Sequence, residues 1–134
     1  MATVTASLSI SSRDIMNSAL SLSDSATLTT AGTTTGVSSV FGLNTLTLTS
    51  TSKVDLITYA EENISGAGAK LYVKNTQAIG EGTNFVKVLI NSEDLGRLYG
   101  GQFMFMPYSG GSGEDFEVQP SSTDSVTLEY MVVY

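Results

Sequence analysis

The chain has 134 residues and a formal net charge of −7, and it contains neither cysteine nor histidine. The lack of cysteine excludes disulfides and thiolate metal sites, and the lack of histidine removes the commonest general base and metal ligand. Its six basic residues are spread from Arg13 to Arg97 without a cluster, so the composition argues against nucleic-acid binding.

The length predicts a single domain over residues 1–134. The longest apolar runs are far below the roughly 18 residues that a membrane-spanning helix needs. The first residues show neither a basic segment nor an apolar segment of the kind found in secretion signals. We therefore expect a protein that is assembled in a reducing cytoplasm and does not cross a membrane.

The first strand predicted by the sequence lies at its start, where apolar residues alternate with serine and threonine. Val4, Leu8 and Ile10 share one face, and this period of two indicates a half-buried strand. Ser11 or Ser12 is placed to cap a short helical turn that would follow. A second alternating segment begins at Leu20 and ends at Leu28, and its alternation is broken near residues 23–25.

The first part of the chain differs from the rest in composition. Serine and threonine make up 24 of the first 52 residues, and only three charges, Arg13, Asp14 and Asp24, lie among them. Apolar residues persist at alternate positions there, which favours ordered β structure over disorder. We predict that residues 1–40 form an extended Ser/Thr-rich N-terminal arm.

The second part of the chain holds strand patterns separated by turn residues. Gly80 and Gly82 favour a hairpin between the strands on either side, and Pro107 is expected to end a strand. In this part, the segments that carry the strand pattern are 70–75, 85–90, 95–107, 116–120 and 125–134. Over the whole chain, about nine or ten short strands with turns every 8–12 residues predict an all-β fold, an antiparallel β-sandwich of the jelly-roll kind.

Two clusters of carboxylates are the only candidates for acid–base chemistry. Glu61 and Glu62 form one, and Glu114, Asp115 and Glu117 form the other. A glycosidase needs two facing carboxylates, but neighbours in a strand point to opposite faces, and both clusters fall in glycine-rich turns. Solvated loops are the favoured interpretation. Calcium at Gly113, Glu114 and Asp115 is the alternative, without the spacing of an EF-hand. We predict no catalytic, cofactor or metal site.

Four aromatic residues lie close together in the second half. Tyr99, Phe103, Phe105 and Tyr108 are of the type that stacks on sugars in lectin-like sandwiches. Phe103 and Phe105 share one strand face, so we favour core packing for them and an interface role for the two tyrosines. Methionines on the opposite face suit a surface that adapts to a partner subunit.

Residues 69–134 resemble small virion proteins of tailed bacteriophages. The matching pattern is a strand ending in Lys74-Asn75, the strand 85–90, the segment 95–107 and the segment 126–130. The resemblance implies a structural virion component, such as a capsid decoration (cement) protein, and no catalytic residues. It also implies contacts with the major capsid protein or other virion proteins, and a homo-oligomer, most simply a trimer.

The sequence thus predicts a non-enzymatic cement protein that needs no cofactor. We expect partner contacts through Val4, Leu8 and Ile10 of the arm and through Tyr99 and Tyr108 at the sandwich edge. A tail or head–tail connector component is one alternative. A carbohydrate-binding module using Tyr99 and Tyr108 is a second, and a small glycosidase using Glu62 or Glu114 is a third.

Overall fold

The computed structural model describes residues 3–15, 18–30, 33–37, 39–58, 68–79, 84–108 and 112–134. These ranges contain strands and no helix, which confirms the all-β prediction, and none of them holds a helix that could span a membrane. The strands are β1 (Val4–Ser12), β2 (Leu20–Leu28), β3 (Ser39–Leu48), β4 (Val54–Ile57), β5 (Ala69–Asn75), β6 (Phe85–Ile90), β7 (Glu93–Tyr99), β8 (Phe103–Tyr108), β9 (Phe116–Pro120) and β10 (Val126–Val133).

The chain divides into two compact units. Met1–Ser38 forms the first and Ser39–Tyr134 the second. In its described residues, the first unit contains β1 and β2, which pair with each other, and a bridge between Thr29 and Gly36. The second unit contains the other eight strands.

The first unit is built on an antiparallel pair whose two faces differ sharply in chemistry. Val4 pairs with Leu28 and Ile10 with Leu22, and every second pair along the register lies on this same face. The pairs between them, such as Ser9 with Ser23, contain only serine and threonine. The pattern of period two therefore separates an apolar face from a hydroxyl face.

The alternation of β2 is interrupted by Asp24, which occupies the apolar row opposite Leu8, while the strand itself stays continuous. The helical turn predicted after Ser12 is not found over residues 13–15, and Met16 and Asn17 lie outside the described residues. The Ser12 hydroxyl instead accepts the backbone N–H groups of Asp14 (3.4 Å) and Ile15 (3.2 Å) in a bend. The capping residue is used as expected, but Ser12 closes a strand rather than opening a helix.

The second unit is a sandwich of two four-stranded antiparallel sheets. One sheet has the order β3-β10-β5-β8 and the other the order β4-β9-β6-β7. The pairs β3–β10, β4–β9, β5–β8 and β6–β7 are nested, the first strand with the last and inward to the middle of the chain. The antiparallel sandwich predicted from the sequence is confirmed.

The core of the sandwich lies between the two sheets and is almost wholly aliphatic. Inward positions alternate along β5 and β10, as the sequence indicates, and β6 lies between two neighbours in its sheet. The residues with the largest fully buried side chains of this unit are Phe116, Leu71, Leu128, Val73, Val86, Val88, Val118 and Val132, together with the polar Asn75.

Two predictions about connections in this unit are also wrong. Strands β5 and β6 lie in different sheets, so the segment between them crosses the sandwich instead of closing a hairpin. Gly80 and Gly82 themselves lie outside the described residues. Pro107 does not end β8, because it lies inside that strand opposite Lys70. β8 is the last strand of its sheet, where a residue without an N–H group is tolerated.

A buried asparagine joins the end of β5 to the turn between β7 and β8. The Asn75 side chain donates to the Leu98 carbonyl (3.1 Å) and accepts the Gln77 N–H (3.0 Å). Its backbone donates to the Gln102 carbonyl and accepts the N–H of Gly101, which has a φ of 79°. Asn75 therefore ties the end of β5 to this turn through its backbone and to the end of β7 through its side chain.

Candidate interaction surfaces

Glu117, one member of the acidic cluster after β8, has a structural role. Glu117 is buried, its Oε1 forms an ion pair with the Lys53 ammonium, and its Oε2 accepts the Ser92 N–H (2.6 Å). The same Lys53 ammonium donates to the Ser92 hydroxyl (2.7 Å). Glu117 therefore ties β9 to the turn between β6 and β7, and both of its oxygens are engaged.

The other carboxylate hypotheses gain no support from the geometry. Glu61 and Glu62 lie outside the described residues. Across the described ranges, no group of three or more His, Cys, Asp or Glu side chains is placed to hold a metal ion. The described residues therefore provide no such group of calcium ligands near Gly113, Glu114 and Asp115.

Tyr108 belongs to an edge strand, as expected, but its side chain is not at the surface. It is 3% exposed, its ring meets that of Phe116 edge-on at 6.2 Å, and its hydroxyl donates to the Glu114 carbonyl. Burial, with the charges of Asp115 and Glu114, raises the pKa of Tyr108 to about 12. The prediction that Tyr108 contacts a partner is corrected, because its inward register position places it in the core.

Tyr99 is exposed on the other sheet. It lies in β7, the edge strand of its sheet, opposite Phe85, and the two rings are 5.5 Å apart. The Arg97 guanidinium stacks over the Phe85 ring at 4.5 Å. With 40% of its surface exposed, Tyr99 remains a candidate contact residue, but Tyr108 does not join it in a sugar platform.

The structure reverses the prediction for the strand that contains Phe103 and Phe105. Both rings point away from the core, with exposures of 59% and 43%, while Met104 and Met106 pack against the core. The reason is register: Met104 pairs with Val73 and Met106 with Leu71, which are inward residues of β5. The methionines fill the irregular space under the edge strand, and the phenylalanines are left outside.

The exposed phenylalanines form a surface together with Tyr72 of the neighbouring strand. We call Tyr72, Phe103 and Phe105 the aromatic face. Tyr72 pairs with Phe105, and its ring centroid lies 6.2 Å from that of Phe103. The Tyr72 hydroxyl donates to Glu129 Oε1 (3.2 Å), and burial followed by this hydrogen bond raises the pKa of Tyr72.

Two lysines flank the aromatic face. Lys70 and Lys74 precede and follow Tyr72 by two positions on β5, so all three side chains project from the same side of the sheet. Lys70 pairs with Pro107 and Lys74 with Phe103 on one side, and Lys74 pairs with Glu129 on the other. The outer surface of this sheet therefore mixes aromatic rings with two ammonium groups and one carboxylate.

The apolar side of the β1–β2 pair is a second exposed surface. We call Val4, Leu8, Ile10 and Leu22 the hairpin face. Leu8 is 46%, Ile10 45% and Leu22 48% exposed, whereas Val4 is partly buried. The arm residues predicted for partner contacts therefore lie together on one face. Leu22 joins them through its pairing with Ile10.

Sequence reasoning missed the aromatic face and Leu22 as surface residues. Period-two alternation placed Phe103 and Phe105 together but did not say which side of the strand faced the core. The inward series of β5 contained that information, because Tyr72 shares a face with two lysines there.

No family model, curated protein or solved structure matches the chain.

Proposed function

We propose that this chain is a non-enzymatic structural protein of a tailed-phage virion that decorates the capsid and stabilises the shell. We infer that its second unit is a jelly roll. The observation that supports this best is the nesting of four antiparallel strand pairs into two four-stranded sheets. Eight-stranded jelly rolls are common in viral capsid proteins.

The first unit supplies the attachment site in this proposal. An isolated two-stranded ribbon is marginally stable in water unless something covers its apolar side. Leu8, Ile10 and Leu22 are each about half exposed, so covering them on another protein contributes roughly 1 kcal/mol per side chain. That surface is the part of the chain that gains most from binding the major capsid protein or another virion protein.

Symmetry makes such a weak contact sufficient. Three copies in a homotrimer present three hairpin faces to the capsid, and each contact raises the effective concentration of the next. Since the trimer binds the assembled shell and not its dissociated subunits, mass action stabilises the particle. The protein acts in the virion after assembly in the host cytoplasm.

The test is a comparison of phage particles with and without the chain. Particles are purified from a phage that carries the reading frame and from one in which it is deleted. We expect the chain to copurify with separated heads. Heads from the deletion phage should release DNA at a lower temperature than heads that contain the chain, and adding purified protein back should restore the higher temperature. Absence from purified heads, or copurification with separated tails only, refutes the cement role.

The attachment site is tested with paired variants. Leu8→Ser and Ile10→Ser should abolish binding to the deleted heads, whereas Ser9→Ala on the hydroxyl face of the same pair should bind as the unaltered chain does. Thermal unfolding followed by circular dichroism checks that the sandwich remains folded in each variant. Binding that is equal in all three variants contradicts attachment through the hairpin face.

A tail or head–tail connector role is the alternative within the same class of virion proteins. It requires a ring of six or twelve copies in place of three. Light scattering on the purified chain, followed by electron microscopy of separated heads and tails, distinguishes the two by copy number and position.

A further inference from the structure

We propose that the virion surface that receives the hairpin face presents a cationic side chain, surrounded by apolar ones, which pairs with Asp24. This inference rests on the proposed attachment through the hairpin face and adds the chemistry of the partner. Asp24 is then the residue that selects which apolar surface the hairpin face accepts.

Asp24 lies at the middle of the apolar side of the β1–β2 pair. It pairs with Leu8, and this is the fifth of the nine pairs between the two strands. Directly opposite residues, and residues two positions apart on one strand, project from the same side of a ribbon. The Asp24 carboxylate therefore lies between Leu22 and Ala26 along β2 and beside Leu8 across the pair. A partner that covers the hairpin face also covers this carboxylate.

The charge of Asp24 is not neutralised within the part of the chain that the structure describes. Its Oδ1 accepts the Ser25 N–H (2.8 Å), and the ion pairs of the described residues do not include it. Arg13 is the one basic residue of the first unit, and it lies beyond the end of β1. That end is about 14 Å along the strand from Leu8. The counter-charge must therefore come from the partner, because a carboxylate covered by apolar surface alone is costly.

A second hairpin face is excluded as the partner by the same charge. Two copies that stack fully by these faces about a two-fold axis meet centre to centre, so their Asp24 carboxylates come together. Like charges that face each other across an interface weaken association. Asp24 therefore turns the hairpin face away from its own copies and toward a surface of opposite charge.

Arginine fits the receiving position better than lysine. A guanidinium is more weakly hydrated than an ammonium, and it can donate two parallel hydrogen bonds to one carboxylate. The Asp24 carboxylate can accept both, because the Ser25 N–H occupies only one lone-pair site of Oδ1. The receiving surface is thus an arginine among aliphatic side chains, which cover Leu8 and Leu22 while the guanidinium covers the carboxylate.

The experiment is cosedimentation of the full chain with heads from the deletion phage. Asp24→Asn keeps the size of the side chain and removes its charge, and it should bind these heads roughly tenfold more weakly or worse. The loss should appear as faster release from the heads after dilution, since removing one partner of a covered charge pair acts on dissociation. Asp24→Lys sets a like charge against the receiving cation and should not bind.

Asp14→Asn provides the matched control. It removes the same charge from the bend after β1, outside the hairpin face, and should bind as the unaltered chain does. Binding of the unaltered chain together with equal binding of Asp24→Asn overturns this inference alone. Heads that do not bind even the unaltered chain refute the proposed attachment, and this inference with it.

Light scattering of the same variants supplies a second readout. If Asp24 serves only to keep the hairpin faces of different copies apart, Asp24→Asn should self-associate and bind the heads at least as tightly as the unaltered chain. That result overturns the inference. An unchanged mass together with faster release from the heads supports it, because the carboxylate then acts on the partner directly.

Discussion

Replacing Asn75 by alanine should destabilise the sandwich more than any change of similar size on its surface. Asn75 is fully buried, and its side chain is bonded to the Leu98 carbonyl and the Gln77 N–H. Alanine removes both bonds while leaving the backbone bonds to Gln102 and Gly101 available. The end of β7 then loses its side-chain bond to β5.

The expected size follows from the two side-chain hydrogen bonds that alanine removes. A buried donor or acceptor deprived of its hydrogen bond costs about 1–3 kcal/mol. The Leu98 carbonyl should cost an amount near the middle of that range, whereas Gln77 is only partly buried and water recovers part of its bond. A total of about 3 kcal/mol follows, which lowers the Tm by roughly 12–24 °C for a unit of this size.

Urea and thermal unfolding followed by circular dichroism measure this change. Gln77→Ala is the control, because it removes only an exposed bond from the side-chain amide to the Ser125 carbonyl and should cost under about 1 kcal/mol. A loss of less than about 0.5 kcal/mol for Asn75→Ala would refute the reasoning.

Asn75→Asp tests the same site through pH. It keeps the acceptor but replaces the donor to the Leu98 carbonyl with a buried acid, whose pKa in the folded state is raised above its unfolded value of about 3.9. The unfolded chain therefore releases this proton first as the pH rises. The stability of this variant relative to the unaltered chain should be greatest below pH ~4 and should fall as the pH rises above it.

Three further changes test other parts of the sandwich. Gly100→Ala places a Cβ against the Ala78 carbonyl and should cost about 1–3 kcal/mol in urea unfolding, whereas Gly42→Ala meets open space and should cost far less. Lys53→Met leaves the buried Glu117 with only the Ser92 N–H and should lower the unfolding free energy by about 1–3 kcal/mol. An unchanged unfolding free energy would mean that the ion pair does not stabilise the fold. Tyr108→Phe keeps the ring contact with Phe116 but loses the bond to the Glu114 carbonyl, so it should cost about 1 kcal/mol. Because the pKa of Tyr108 is raised from 10.0 to about 12, its stabilisation is complete below pH 10 and is lost as the pH rises to 12. Tyr108→Phe should flatten that decline, and an unchanged slope in an unfolding series would contradict the assignment.

The strands of the sandwich could be predicted because each alternating segment carries its own signal. Leu71 and Val73 in β5, and Leu128 and Val132 in β10, repeat at period two and are buried where the pattern indicates. The local sequence does not indicate which distant strands pair with each other. The glycines at 80 and 82 therefore predict a hairpin, although the strands that they separate lie in different sheets.

The candidate surfaces were harder to predict because exposure depends on which side of a strand meets the core. Phe103 and Phe105 carry more apolar surface than Met104 and Met106, and hydrophobicity alone would bury them. The pairing of Met104 and Met106 with the inward residues of β5 instead places the methionines toward the core and the phenylalanines outside. Arm residues Leu8 and Ile10 were predicted correctly as one face, since both belong to a single alternating run.

Nested strand pairing has a consequence for how the sandwich can fold. Strand β10 lies between β3 and β5, so neither of those strands has its full set of partners until residues 126–133 have been synthesised. Among the strands that the structure describes in this unit, only the middle pair, β6 and β7, is local in sequence. The strands of the outer pairs are far apart in the sequence, so bringing them together costs conformational entropy before their contacts form. Folding of such topologies is therefore slow. On the ribosome, β3 and β4 therefore emerge without partner strands. They stay unpaired until β10 and β9, respectively, have been synthesised.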